Sequence, residues 1–241
     1  MFDHVTIRAS ERAASERFYD LVLGVIGIER TATTELGPEW NDFSLTTASA
    51  EVGVTRGLHV GFGAKSTADV DAFWRAGVDA GYENDGEPGP RPIYTDDYYG
   101  AFLLDPDGNS IEAVHFEGSR SGAIDHLWIR VADLAASKRF YETIAPHARI
   151  GLRHDTAQRA GFDLDTGSFS VLAGDHVTEN LHMAFAASEN QAVHDFHQAA
   201  LEAGYGDNGE PGERPEYHPG YYAAFVLDPD GNNIELVNHN R

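Results

Sequence analysis

The sequence contains no cysteine. That excludes a disulfide framework and thiolate metal sites, so any metal must be held by imidazole and carboxylate. Basic residues are also scarce: 17 Lys and Arg, with lysine only at Lys65 and Lys138, stand against 39 Asp and Glu, for a formal net charge of -22. Such a surface repels phosphate backbones and anionic lipid heads, so nucleic acid and membrane surfaces are poor candidate partners. No apolar run approaches membrane-spanning length. The start Met1-Phe2-Asp3-His4-Val5 goes straight into a strand-like pattern without the regions of a signal peptide, so the expected setting is cytoplasmic.

The chain has 241 residues and 41% hydrophobic content, enough for two modest cores. An internal duplication supports two domains. Phe18-Tyr19 recurs at Phe140-Tyr141 (140 − 18 = 122), and Asp105-Pro106-Asp107-Gly108-Asn109 recurs from Asp228 to Asn232 (228 − 105 = 123). Gly86-Glu87-Pro88-Gly89 returns as Gly209-Glu210-Pro211-Gly212, and Tyr98-Tyr99 as Tyr221-Tyr222. Matches this numerous in one register are a repeat and not chance. The polar stretch Glu117 to Gly122 suits a linker, so the expected domains are 1–118 and 123–241.

Each half reads as βαβββ twice, an α+β pattern. Asp133 is placed to cap a helix whose Ala136, Phe140 and Ile144 share one face. A further helix is expected from Ser188, with Gln191 completing a capping box, Val193, Phe196 and Ala200 inward, and an end near Gly204; its first-half counterpart runs from Ser66 to Gly81. The Asp-Pro-Asp-Gly-Asn segments are turns between apolar runs.

Strict alternation in Asp3-His4-Val5-Thr6-Ile7-Arg8 puts His4 on the strand face opposite Val5 and Ile7, and His126 repeats this opposite Leu127 and Ile129. His59 shares its face with Gly61, and His182 with Ala184. Small neighbours leave room beside each imidazole. Glu112 and Glu235 each interrupt an apolar strand, where an unpaired carboxylate costs several kcal/mol unless a cation or donor meets it. Two imidazoles and one carboxylate make a facial triad that leaves coordination positions open for substrate. The candidate ligands are therefore His4, His59, Glu112, His126, His182 and Glu235.

Arg91 and Arg214, with Tyr94, Tyr98, Tyr217 and Tyr221, lie in Gly- and Pro-rich segments just before a strand, read as loops able to close over a cleft. Arg91, Arg214, Tyr94 and Tyr217 are candidates for substrate binding; Tyr98, Tyr221 and His218 are candidates for proton transfer. His218 has Thr95 as its counterpart, so the two halves need not be equivalent. His194 and His197 read as a solvated helix flank, and His115 and His239 carry no specific signal.

These residues resemble the vicinal oxygen chelate superfamily, also called the glyoxalase, bleomycin resistance and extradiol dioxygenase superfamily. The resemblance is plainest over His4 to Tyr19, Leu58 to Phe62 and Tyr94 to Val114, with their second-half partners. It implies four βαβββ units paired into two open eight-stranded barrels, each holding a divalent metal such as Fe, Mn, Ni or Zn. The implied activity is Lewis-acid stabilisation of an enolate or oxyanion on a substrate with neighbouring oxygens, by a lyase, isomerase or dioxygenase. Phe102 and Phe225 stand where ring-cleaving members carry a Tyr, which favours glyoxalase-like chemistry. A non-catalytic, ligand-sequestering protein is the alternative. A fused pair of this kind joins His4 to His182 and Glu235, and His126 to His59 and Glu112, or else forms each site within one half. It is implied to be a monomeric pseudo-dimer or a homodimer.

Overall fold

A computed structural model describes residues 2–120 and 122–240. Ser121 of the expected linker, and the expected domain ends Met1 and Arg241, lie outside the described residues. The elements follow the βαβββ order four times. The first unit is β1 (Phe2–Ala9), α1 (Arg12–Val25), β2 (Ala32–Thr33), β3 (Pro38–Trp40) and β4 (Phe43–Thr47). The second is β5 (Leu58–Gly63), α2 (Thr67–Asp79), β6 (Asn84–Pro90), β7 (Tyr99–Leu104) and β8 (Ser110–His115). The third is β9 (Ile124–Val131), α3 (Leu134–Ala148), β10 (Gly151–Asp155), β11 (Arg159–Asp163) and β12 (Ser168–Ala173). The fourth is β13 (His182–Ala186), α4 (Asn190–Glu202), β14 (Gly206–Glu213), β15 (Tyr222–Leu227) and β16 (Asn233–Asn238).

The fold is α+β, with the strands in two open eight-stranded mixed sheets. In one, the order β6-β7-β8-β5 continues into β9; in the other, β14-β15-β16-β13 continues into β1. The remaining strands, β10 to β12 and β2 to β4, complete the two orders. Parallel pairing of β5 with β8 sets Gly61 opposite Glu112, and that of β13 with β16 sets Ala184 opposite Glu235. The chain divides into two compact units, Thr6–Trp128 and the combination of Met1–Val5 with Ile129–Arg241. Each division falls inside a His-bearing strand, β1 or β9.

Local sequence explains most elements. The side chain of Asp133 accepts from the N–H of Ala136 at the start of α3, and Ser66 accepts from Asp69 at the start of α2. The fourth helix differs from expectation by one position. Glu189, in extended backbone, precedes it, and no side-chain cap bond forms, so Ser188 is not the cap. Val193, Phe196 and Ala200 are fully buried on its inner face as the spacing requires. Arg91 to Tyr98 and Arg214 to Tyr221 are loops, as read from the sequence, but the Gly- and Pro-rich stretches just before them are strands β6 and β14. Both lie at the end of a sheet order, where proline's missing N–H costs no ladder bond, and their registers shift at Gly86 and Gly209.

Aromatic side chains fill both cores. In the unit Thr6–Trp128, Tyr19 packs against Phe43 at 4.8 Å and Trp40 at 5.8 Å, and Phe43 against Phe62 at 5.3 Å. In the other, Tyr141 meets Phe169 at 4.8 Å, and Phe2 meets Phe185 at 6.3 Å. Among the described residues no helix is long and apolar enough to cross a membrane, which says nothing of crossing by strands.

Candidate metal centres

Six of the residues singled out in the sequence converge as two clusters. His59, Glu112 and His126 meet in the unit Thr6–Trp128; His4, His182 and Glu235 meet in the other. Each cluster thus takes its first-strand histidine from the opposite sequence half to its other two members. Strand geometry explains the convergence: parallel neighbours β5 and β8 present His59 and Glu112 on one face, and β9, next to β5, supplies His126.

In the first cluster, His59 Nε2 and His126 Nε2 are 3.2 Å apart and lie 3.1 and 3.2 Å from Glu112 Oε2. In the second, His4 Nε2 and His182 Nε2 are 3.0 Å apart and lie 3.6 and 3.0 Å from Glu235 Oε2. Ligands held at about 2.0–2.2 Å from one ion, at tetrahedral to octahedral angles, lie roughly 3.0–3.5 Å from each other. Five of the six separations fall in that range, and the sixth, His4 Nε2 to Glu235 Oε2 at 3.6 Å, lies just outside it.

The outer hydrogen bonds fit the same purpose. His126 Nδ1 donates to Asp125 Oδ1 at 3.1 Å. His59 Nδ1 donates to Ser110 Oγ at 3.1 Å, and Ser110 passes its own proton to Asp85 at 2.6 Å. Both Nδ1 protons are thereby committed outward, which turns the lone pairs of both Nε2 atoms inward. The hydroxyl of Tyr98 occupies Glu112 Oε1, leaving Oε2 to face the imidazoles. Three acceptors so arranged demand positive charge.

The electrostatics express that demand. Burial pushes the Glu112 carboxyl up, but its close contacts with His126 and His59, and the positive charge these carry when protonated, outweigh it and bring it to about 2. Burial pushes His126 down, but Asp125 and Glu112 outweigh it and lift it to about 9. A proton on His126 is one way to supply the charge, and a divalent cation is the other.

The second cluster repeats this with one difference. His4 Nδ1 donates to Asp3 Oδ1 at 2.8 Å, and Tyr221 donates to Glu235 Oε1 at 2.6 Å. His182 Nδ1, however, accepts from the amide of Asn233 at 2.7 Å, and Asn233 accepts in turn from Asn208 at 2.9 Å. Turning both amides over keeps both contacts and offers His182 Nδ1 an oxygen, as a metal-ligating imidazole requires.

The remaining sequence candidates surround these clusters. Tyr98 and Tyr221 are buried, and burial, with the charge of the adjoining Glu, holds both phenols above their ordinary range. Arg91 donates to the carbonyl of Glu87 at 2.7 Å and lies 5.6 Å over the ring of Phe102, itself 5.9 Å from His59. Arg214 does the same with Glu210 and Phe225. Tyr94 packs on Tyr98 at 4.8 Å and on Trp128 at 5.6 Å; Tyr217 packs on Tyr221 at 4.8 Å. His218 contacts His239, with Nε2 to Nδ1 at 2.8 Å.

Several participants carried a weaker sequence signal. Asp3 and Asp125 could have been found from the repeated Asp-His dipeptide. Ser110 and Asn233 differ in type, and His239 has Phe116 as its counterpart, so repetition could not reveal them. His197 is not a solvated flank residue: it is buried, with Nε2 3.0 Å from Asp207.

Comparison with known structures returns this architecture. Glyoxalase I from Zea mays aligns over 99% of this chain and 92% of its own at 20% identity, with a TM-score of 0.69. A putative dioxygenase from Bacillus subtilis aligns over 100% of this chain and 85% of its own at 12% identity, also with a TM-score of 0.69. At such identities the likeness is one of fold. Comparison with curated proteins gives no match. The duplication, the four βαβββ units and the paired His, His, Glu clusters agree with a sequence match over residues 1–113 and 123–236, by which the chain belongs to the Glyoxalase/Bleomycin resistance protein/Dioxygenase superfamily.

Proposed function

We propose that the protein is a divalent-metal-dependent enzyme acting on a small substrate with two neighbouring oxygens, by glyoxalase-like lyase or isomerase chemistry. The observation that carries this reading is the duplicated convergence of two imidazole Nε2 atoms and one carboxylate oxygen, each with its outer atom committed elsewhere. A cation held by three protein ligands keeps open positions and supplies Lewis acidity to the charge developing on an enolate or oxyanion.

The chain's own groups have separable tasks in this reading. His59, Glu112 and His126, and likewise His4, His182 and Glu235, hold the ion. Tyr98 and Tyr221 keep each carboxylate turned so that one oxygen faces the imidazoles; their hydroxyl protons are already shared with Glu112 and Glu235. Arg91 and Arg214 offer their remaining N–H groups to an anionic part of the substrate, beside the aromatic faces of Tyr94 and Tyr217. In this reading His218, whose Nε2 contacts His239, takes or gives a proton, and only beside the His4, His182, Glu235 cluster. Residues 1–118 and 123–241 are the two duplicated domains. Ring-cleaving oxygenation is disfavoured because Phe102 and Phe225 bring no hydroxyl to positions paired with Glu112 and Glu235.

The test is metal content per chain after chelator-free purification, for wild type, Glu112→Ala, Glu235→Ala and the double variant, followed by a substrate panel of diketones, hemithioacetals and catechols with the metal found. Two ions in wild type, one in each single variant and turnover of a vicinal-oxygen substrate support the reading. No bound metal, and no uptake of added Fe, Mn, Ni or Zn, would overturn it in favour of a ligand-sequestering protein.

A further inference from the structure

The two clusters differ in what stands behind their first-strand histidine. In the unit Thr6–Trp128, the Asp125 carboxylate takes His126 Nδ1–H on one oxygen and the main-chain N–H of Arg120 on the other, at 2.8 Å. In the other unit, Asp3 takes His4 Nδ1–H on Oδ1, but its Oδ2 receives His239 Nε2–H at 2.7 Å. His239 is held in turn by His218, with the rings stacked 5.1 Å apart, and the edge of Tyr221 packs against it at 5.3 Å. His218 is fixed by its own backbone, with Nδ1 2.8 Å from the Pro219 carbonyl. One repeat earlier these places hold Phe116, stacked on Tyr98 at 5.4 Å, and Thr95.

A carboxylate behind a ligating imidazole fixes the ring's orientation and tautomer only if the carboxylate is itself fixed. Both oxygens of Asp3 are engaged, one by His4 and one by His239. We propose that His239, backed by His218, is the positioning residue of the His4, His182, Glu235 centre, acting through Asp3. The metal affinity of that centre then depends on a side chain, whereas the His59, Glu112, His126 centre relies on the main chain of Arg120. The two centres are unequal by construction, and the second is tunable by substitution without touching a ligand. This inference rests on reading both clusters as metal centres.

The test is titration of the full chain with Co(II) alone, followed by absorption and calorimetry, for wild type, His239→Phe, His239→Gln and His218→Thr. His239→Phe reproduces the packing of Phe116 but donates nothing to Asp3; His239→Gln retains an N–H donor. The expected result is a loss of roughly 10- to 100-fold in one of two binding steps for His239→Phe, substantial recovery in His239→Gln, and a smaller loss in His218→Thr. The other step stays at its wild-type value. If His239→Phe does not fold, the smaller loss confined to one step in His218→Thr supports the proposal, and two unchanged steps in it overturn the proposal. Wild-type binding constants in His239→Phe, or a loss that His239→Gln does not restore, would overturn this inference alone. Failure of the wild type to take up Co(II) would overturn it together with the metal reading.

Discussion

Tyr98 donates its hydroxyl to Glu112 Oε1 at 2.9 Å, so the carboxylate that faces two imidazoles is gripped from behind by a phenol. Removing that grip without opening a cavity is a direct test of its worth. Tyr98→Phe is expected to lower metal affinity in the His59, Glu112, His126 centre by roughly 10-fold or more while leaving the other centre unchanged. Stepwise metal titration of the variant measures both effects at once.

Gly61 sits where the His126 ring needs space: a Cβ on it would overlap that imidazole. The room that a small residue leaves beside His59 is therefore filled by the other ligand. The corresponding position in the second unit is Ala184, which already carries a Cβ. Gly61→Ala should displace His126 and abolish one centre, reducing bound metal from two ions per chain to one. Retention of two ions with unchanged affinity would show that the ring can move aside.

Acid and base act differently on the metal-free chain. His126 is lifted to about 9, above its ordinary 6.5, so its contribution to stability is complete below about 6.5 and is lost as pH rises through 9. Glu112 is lowered to about 2, so its contribution is present above about 4.5 and is lost as pH falls through 2. With chelator present, the unfolding temperature should decline between pH 6.5 and 9. With metal bound the slope should reverse in sign, because the ligands must shed protons to bind. Parallel thermal scans over that window distinguish the two.

Tyr19 and Tyr141 occupy equivalent helix positions, yet only Tyr19 has its hydroxyl paired, donating to Asp105 at 2.8 Å; Tyr141 Oη is buried with no hydrogen-bond partner among the described residues. Tyr19→Phe should cost about 1–2 kcal/mol, whereas Tyr141→Phe should be neutral or stabilising. Denaturant unfolding of the two variants gives the comparison, and equal losses would refute it.

Much of this was legible in the residues themselves. Alternation around His4, His59 and their repeats identified strands β1, β5, β9 and β13, because successive side chains of a strand face opposite ways even where, as in β5, both faces are buried. The isolated Glu112 and Glu235 were visible because an apolar strand rarely tolerates a lone carboxylate. Which His meets which Glu was not legible from alternation, which gives a face but not a neighbouring strand; the family resemblance left two arrangements open, and the clusters are those of the cross-half one. Strands β6 and β14 were hidden because their Gly and Pro content obeys edge-strand rules that resemble those of loops. His239 was missed for a different reason: its importance lies in one hydrogen bond to Asp3, a contact across 236 positions that no local pattern encodes.

The division of the chain inside β1 and β9 has a consequence for synthesis. The unit Thr6–Trp128 is complete once Trp128 has left the ribosome, and it can fold while the remainder is still being made. The other unit needs residues from the first strand and from β16, so it cannot close until β16 has been made. The segment around His4 is made well before His182 and Glu235, the residues it joins. A lesion that slows synthesis beyond Trp128 should therefore leave the earlier-made unit folded while the other waits for β16.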